Sequence, residues 1–223
     1  MEYRIERAAA PPPLDGGLLD GAWAAAPGVA LASFHAKSGP HRPTVFAKAL
    51  YDDTGLYVQY QVRDRFIRAV RTGFQEPVCR DACVEFFVQP RGAGPYFNFE
   101  MSLAGGLLVY WVIDPVRAPD GFKERVIVRP EDGRQLTLVT SKPGKTDPEI
   151  EGPLDWWAGL AAPWTFFAAY AENWTPPKAG DRWRANFYKC ADECSRPHWA
   201  SWMPVGDPLN FHRPEVFGTL CFG

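Results

Sequence analysis

Long apolar runs are missing from this 223-residue chain; no stretch approaches the roughly 18 residues that a membrane-spanning helix requires. A charge excess is missing too. The 24 Lys and Arg against 26 Asp and Glu leave a formal charge of -2, which provides no basic field for nucleic acid or anionic lipid. Cysteine is sparse and odd in number, five in all, which excludes a disulfide scaffold. Four dispersed histidines and three methionines offer no evident axial pair for haem. The GxSxG, P-loop, Rossmann and EF-hand patterns are all absent. The opening MEYRIERAAAPPPLDGG mixes charges of both signs and has no apolar segment of signal-peptide type. Read literally, it keeps the chain in the cytoplasm; a leader lying upstream would place it outside the cell or in the periplasm.

Proline, glycine and aromatic residues are abundant, with 22 Pro, 20 Gly and 14% aromatics. Turn-forming residues between short aromatic runs predict an all-β chain, and a single sandwich or barrel of this length is ordinary. Residues 1–13 read as an extended lead-in and residues 14–223 as one domain. Leu18 to Trp23 predicts a short helical turn that buries Trp23. Thr44–Tyr51 and Leu56–Val62, joined by Asp52-Asp53-Thr54-Gly55, predict a hairpin. Further strands are expected at Leu107–Ile113, Val126–Val128, Gln135–Ser141, Trp156–Ala162, Trp183–Lys189 and Val216–Phe222. A proline-rich loop is expected after Ile113, and loops over 142–154 and 201–218. Trp164–Tyr170 is apolar without a clear period, so it reads either as strand or as short helix.

The stretch that organises the rest is DACVEFFVQPRGAGPYFNFEM, from Asp81 to Met101. It predicts a hairpin with Val84, Phe86 and Val88 on one face and Cys83, Glu85, Phe87 and Gln89 on the other. In its second arm Phe97 and Phe99 share a face, opposite Asn98 and Glu100. Glu85, Asn98 and Glu100 therefore converge on one side of one sheet. Acceptors and amides beside aromatic surface suit a sugar, because a ring stacks on the C-H face of a pyranose while polar groups fix its hydroxyls. The competing expectation is a solvated sheet face, with Asp64 capping a turn and Glu85 paired to Arg80 or Arg184.

Taken in order, LDG, YDDTGLYVQYQVRD, DACVEFFVQP, YFNFEM, WRANFYK and NFHRPEVFG resemble carbohydrate-binding module family 9 and the related DOMON domains, from about Leu14 to Phe222. The resemblance implies an antiparallel β-sandwich of jelly-roll or immunoglobulin-like form with short peripheral helical turns. It implies non-catalytic binding of a mono- or oligosaccharide or a glycan chain end, with no required cofactor. Structural calcium is an occasional family feature, for which Asp52, Asp53 or edge carbonyls are candidates. Position by position, Asp64 and Glu85 match the family's acidic residues, and Asn98 and Tyr188 fall at polar positions. Of the family's two clamping tryptophans, one position falls at Val78 or Cys79 and the other at Phe211, preceded by Asn210. The first aromatic wall is missing.

The expected ligand site is Asp64, Glu85, Asn98, Glu100, Tyr188, Asn210 and Phe211, with Trp202 as a further stacking surface and Trp199 beside it in an aromatic loop. No nucleic acid or membrane partner is expected, and no protein partner is specified. Two other readings stay open: a glycosidase using Asp64, Glu85 or Glu100 as acid and base, and an interaction module that has lost its sugar site. Cys79-x3-Cys83 and Cys190-x3-Cys194 also have spacing compatible with zinc, against the alternative of reduced, buried thiols.

Overall fold

The computed structural model describes residues 1–119 and 121–223. The N-terminal part forms β1 (Glu2–Arg7), β2 (Val29–Ala30), β3 (Ser33–Phe34), β4 (Thr44–Tyr51), β5 (Gly55–Asp64) and β6 (Ile67–Ala69). Next come β7 (Cys83–Gln89), β8 (Tyr96–Ser102), β9 (Leu107–Ala118) and β10 (Gly121–Ile127), of which β8, β9 and β10 are each paired antiparallel with the one before. The chain closes with β11 (Thr137–Thr140), β12 (Thr146–Ile150), β13 (Leu154–Pro163), β14 (Arg182–Cys190), β15 (Trp199–Ser201) and β16 (Gly218–Phe222).

These strands make a β-sandwich. One sheet runs β10-β9-β8-β7-β14-β16-β1 and the other β1-β4-β5-β13-β11. The sheets share β1, whose Glu2–Ile5 half pairs with β16 and whose Glu6–Arg7 half pairs with β4, both in parallel. The segment expected as an extended lead-in is extended over these residues, and it is hydrogen-bonded into both sheets. Its alternation places Tyr3 and Ile5 in the core while Glu2 and Arg4 stay exposed.

Period-2 alternation explains the core. Val58, Tyr60 and Val62 of β5 and Trp156, Ala158 and Leu160 of β13 face Val84, Phe86 and Val88 of β7 and Phe97, Phe99 and Met101 of β8. Phe187 of β14 sits among Tyr3, Tyr60, Phe86 and Trp202, with ring centroids 4.9–6.2 Å apart. The β4-β5 turn is set by Asp52, whose Oδ1 accepts from the amides of Thr54 and Gly55 at 2.7 and 3.0 Å. Gly55 is required there because a Cβ would lie 2.7 Å from the Ala162 carbonyl oxygen. Trp23 is buried as expected from a short helix, Gly21–Ala25, and its indole donates to the Pro13 carbonyl at 2.7 Å.

Two regions differ from the sequence expectation, and a third, left open there, is decided by the structure. Where a proline-rich loop was expected after Ile113, β9 continues to Ala118 and pairs with β10; residue 120 lies outside the described residues. Pro115 is tolerated because β8 pairing stops at Val112, so beyond that point β9 meets only β10, across a register shift. The expected 142–154 loop contains β12, which pairs with β6. Trp164–Ala168, left open between strand and helix, is a short helix whose Trp164, Phe166 and Phe167 are buried.

Candidate functional site

The outer face of β7, β8, β9 and β14 carries the polar groups of the organising hairpin, and it is covered. Phe87, Tyr96, Val112, Phe122, Tyr188, Val205 and Phe217 form a second apolar cluster on this face, with Tyr110 and Phe211 packed against it. The β9-β10 hairpin brings Phe122 and the 205–217 segment brings Val205, Phe211 and Phe217. The solvated face that competed with a site is therefore not what forms: Glu85, Asn98 and Glu100 are all buried.

Cross-strand register assembles the centre of the site. Glu85 of β7 lies directly opposite Glu100 of β8 on one side and Tyr188 of β14 on the other. Asn98 donates from Nδ2 to Glu100 Oε1 at 2.8 Å and accepts the Tyr110 amide on Oδ1 at 2.7 Å. The expected Arg80 or Arg184 partners of Glu85 are engaged elsewhere. Arg80 is paired with Glu193, and Arg184 donates to the carbonyls of Glu215 and Phe217. Glu85 instead receives the Cys190 thiol, with Sγ 2.9 Å from Oε1.

A cleft of about 690 Å³ opens over these groups. Glu85 and Glu100 lie in its floor, Phe211 and Asn210 on one flank, and Trp199, Tyr110, Phe122, His212, Arg117 and Arg125 complete much of the lining. Tyr188 supports Phe211 from below, with rings stacked at 4.2 Å and 12° and its hydroxyl donating to the Phe211 carbonyl at 3.0 Å. This support covers one face of Phe211 and orients its ring. Arg117 stacks over Phe122 at 4.6 Å and donates to Asn210 Oδ1 at 3.2 Å. His212 lies between the Tyr96 hydroxyl, 2.9 Å from Nδ1, and Glu100, 4.0 Å from Nε2.

Burial and mutual repulsion govern protonation here. Burial, then the neighbouring Glu100 charge, pushes Glu85 well above the usual carboxylate range. Burial lifts Glu100 to about 7 against the pull of the Asn98 amide. Burial, with Arg117 nearby, holds His212 well below its ordinary value. Near neutral pH the floor thus presents a protonated Glu85, which can both donate and accept hydrogen bonds, a Glu100 close to its titration midpoint, and a neutral imidazole.

Two sequence-expected residues belong elsewhere. Asp64 is in phase with Val58, Tyr60 and Val62, so its side chain points between the sheets. There it accepts the Arg65 amide at 2.8 Å, meets His41 Nε2 at 2.6 Å and lies 3.4 Å from Lys189 Nζ. Lys189 shares the inward face of β14 with Phe187, opposite to Tyr188 and Glu85. Burial raises the Asp64 carboxyl, but Lys189, His198 and the His41 hydrogen bond outweigh it and hold it down to about 2. Trp202 is also core, packed edge-on against Tyr3 and Phe187. Its loop neighbour Trp199 is the one that reaches the cleft, where its indole donates to Asp192 at 2.8 Å.

Of Val78 and Cys79, Cys79 lines the cleft and Val78 is fully buried. The residues that sequence reasoning did not single out are Tyr110, Arg117, Phe122, Arg125 and His212. Four of these come from the β9-β10 hairpin, which was hidden behind Pro115. Of the expected calcium candidates, Asp52 accepts the amides of its own turn, and the exposed Asp53 pairs with Arg7 at 2.5 Å. A hollow of about 700 Å³ elsewhere, at Pro90, Arg91, Trp111 and Tyr170, has Glu172 as its single carboxylate and lacks the paired acids.

Comparison with known proteins agrees with this architecture. A structure from Bacteroides uniformis, of a protein named for inferred carbohydrate binding, superposes with a TM-score of 0.84 at 29% identity, covering 100% of this chain and 99% of that one. A family 9 carbohydrate-binding module from Caldicellulosiruptor kristjanssonii, in complex with cellotriose, gives 0.58 at 15% identity over 100% of this chain and 93% of that one. The module in complex with glucose gives 0.58 at 15% identity, over 99% and 96%. At that identity the likeness to the two complexes is one of fold. No curated protein matches. The family model described as carbohydrate-binding family 9 matches residues 18–222, and the chain belongs to that family.

Proposed function

We propose that the cleft over Glu85 and Glu100 binds a mono- or oligosaccharide, or the end of a glycan chain, without catalysing a reaction on it. The observation that carries this reading is the pairing of Phe211, braced from beneath by Tyr188, with two buried carboxyl groups on the cleft floor. The free ring face stacks on the apolar side of a pyranose, and the acids bridge its hydroxyls. Trp199 supplies a second aromatic surface. Asn98 acts from below by orienting Glu100. Neighbours of the same fold bind cellotriose and glucose, which makes β-linked glucose chain ends the first ligands to try.

A second reading is glycosidase chemistry, which needs one carboxylate ionised and one protonated. Glu85, raised well above the carboxylate range, is its candidate acid and Glu100, at about 7, its candidate base, whereas Asp64 lies between the sheets. The deciding experiment is a calorimetric screen of mono- and oligosaccharides against the intact protein, repeated with Glu100→Ala and with chromogenic glycosides. Heat of binding that Glu100→Ala removes, with no turnover, supports the proposal. Turnover that depends on Glu100 would overturn the non-catalytic reading. Silence across the panel, with a protein partner that sugars do not displace, would favour an interaction module.

A further inference from the structure

Beside Glu85 lie two thiols that sugar recognition does not use. Cys83 of β7 and Cys190 of β14 are directly opposite each other, and Glu85 follows Cys83 by two residues on the same face. Their donor atoms, two sulfurs and one carboxylate oxygen, all lie within 4.8 Å of one another, and all three residues are buried. All five thiols of the chain are free. From this geometry we infer that Cys83, Glu85 and Cys190 bind a zinc ion whose fourth coordination position faces the cleft.

The distances suit the ion. Tetrahedral zinc with Zn–S near 2.3 Å and Zn–O near 2.0 Å separates neighbouring ligand atoms by about 3.5–3.8 Å. The Cys190 Sγ to Glu85 Oε1 separation of 2.9 Å needs to open by only about half an ångström to reach that value. The other separations are no more than 4.8 Å. The ligands stand on paired strands of one sheet, so their spacing is fixed by backbone register. Two thiols with one carboxylate form a soft donor set, which favours zinc over calcium or magnesium.

The open position follows from exposure to the cavity. Glu85 and Cys190 line the cleft, while Cys83 lies deeper, in an apolar cluster with Val78 and Leu108. Three protein ligands with one position toward solvent is an arrangement that lets zinc take a water or another oxygen ligand. The trio differs from the four-cysteine set that the sequence spacing suggests. Cys194 instead directs its thiol to the Arg68 carbonyl, 3.7 Å away, and so serves as a control. The inference does not depend on the carbohydrate reading, since the probe is the metal alone.

The test is equilibrium dialysis of the full chain against zinc under a thiol reductant, followed by metal analysis, with cobalt(II) as a spectroscopic substitute. The expected result is one zinc per chain, unchanged in Cys194→Ala and lost in Cys190→Ala. Bound cobalt should show sulfur-to-metal charge-transfer absorption and the intense visible bands of four-coordination. Glu85→Gln, which preserves shape and leaves both thiols, should weaken zinc at least tenfold while keeping the sulfur absorption, so the inference stays testable if Cys190→Ala fails to fold. Substoichiometric zinc, cobalt spectra without sulfur absorption, or zinc retained equally by Cys190→Ala would each overturn it.

Discussion

Lys189→Met should destabilise the fold far more than any surface charge change, while leaving the cleft untouched. Lys189 and Asp64 are both fully buried between the sheets, 3.4 Å apart, with His198 Nε2 2.8 Å from the ammonium. Removing the cation strands the Asp64 carboxylate in a dry site, and removing one partner of such a pair costs about 3–5 kcal/mol. Asp64→Asn should cost a comparable amount by stranding Lys189. Because the two penalties share one cause, the double variant should lose much less than their sum. In a chain of this length a loss of that size lowers the melting temperature by about 6–20 °C. Urea unfolding of the four proteins gives the cycle directly, provided the m-value is constant. Additivity within about 0.5 kcal/mol would refute the coupling. Loss of sugar binding in the folded double variant would return Asp64 to the ligand site.

Acid should weaken the fold through the same cluster. Burial and Lys189 keep His198 neutral down to about 3 against an ordinary value of 6.5, so below pH 6.5 the unfolded chain takes up a proton that the folded chain refuses. Asp64, held to about 2 against 3.8, adds to the loss from about pH 4 downward. Glu85 and Glu100, raised by burial, act in the opposite direction over the same range, so the His198 contribution is read as a difference. The urea midpoint of the wild type relative to His198→Gln should fall between pH 7 and pH 4, and a constant difference contradicts this. Phe187→Ala should cost about 3–5 kcal/mol, because a ring packed against Tyr3, Tyr60, Phe86 and Trp202 leaves a cavity. Gly218→Ala should cost about 1–3 kcal/mol, since its Cβ would come 2.4 Å from the Trp202 ring; unchanged thermal unfolding would mean that Trp202 moves freely.

Legibility from sequence followed locality. The β4-β5 and β7-β8 hairpins were readable because alternation and turn residues are local signals, and the pairing of Glu85 with Glu100 follows from that register. The face on which Glu85, Asn98 and Glu100 converge was readable for the same reason, although its burial was not. That burial depends on Phe122, Val205 and Phe217, which arrive from distant segments. Pro115 concealed a strand because its exclusion from sheets holds for strands flanked on both sides, and here β9 has one neighbour. Asp64 followed the polar end of its strand in sequence, yet its phase with Tyr60 and Val62 already placed it inward. Trp199 and Trp202 are three residues apart in sequence, but Trp199 begins β15 and reaches the cleft while Trp202, just past that strand, packs against Tyr3, Phe187 and Gly218 in the core.

The most direct test of the account is calorimetric titration of glucose and cellotriose into the wild-type protein and Phe211→Ala, with folding of both verified by unfolding curves. The cleft reading predicts a single site in the wild type, weakened at least tenfold, about 1.4 kcal/mol, in the variant. Equal affinity in both proteins would contradict it and move the sugar site away from Phe211.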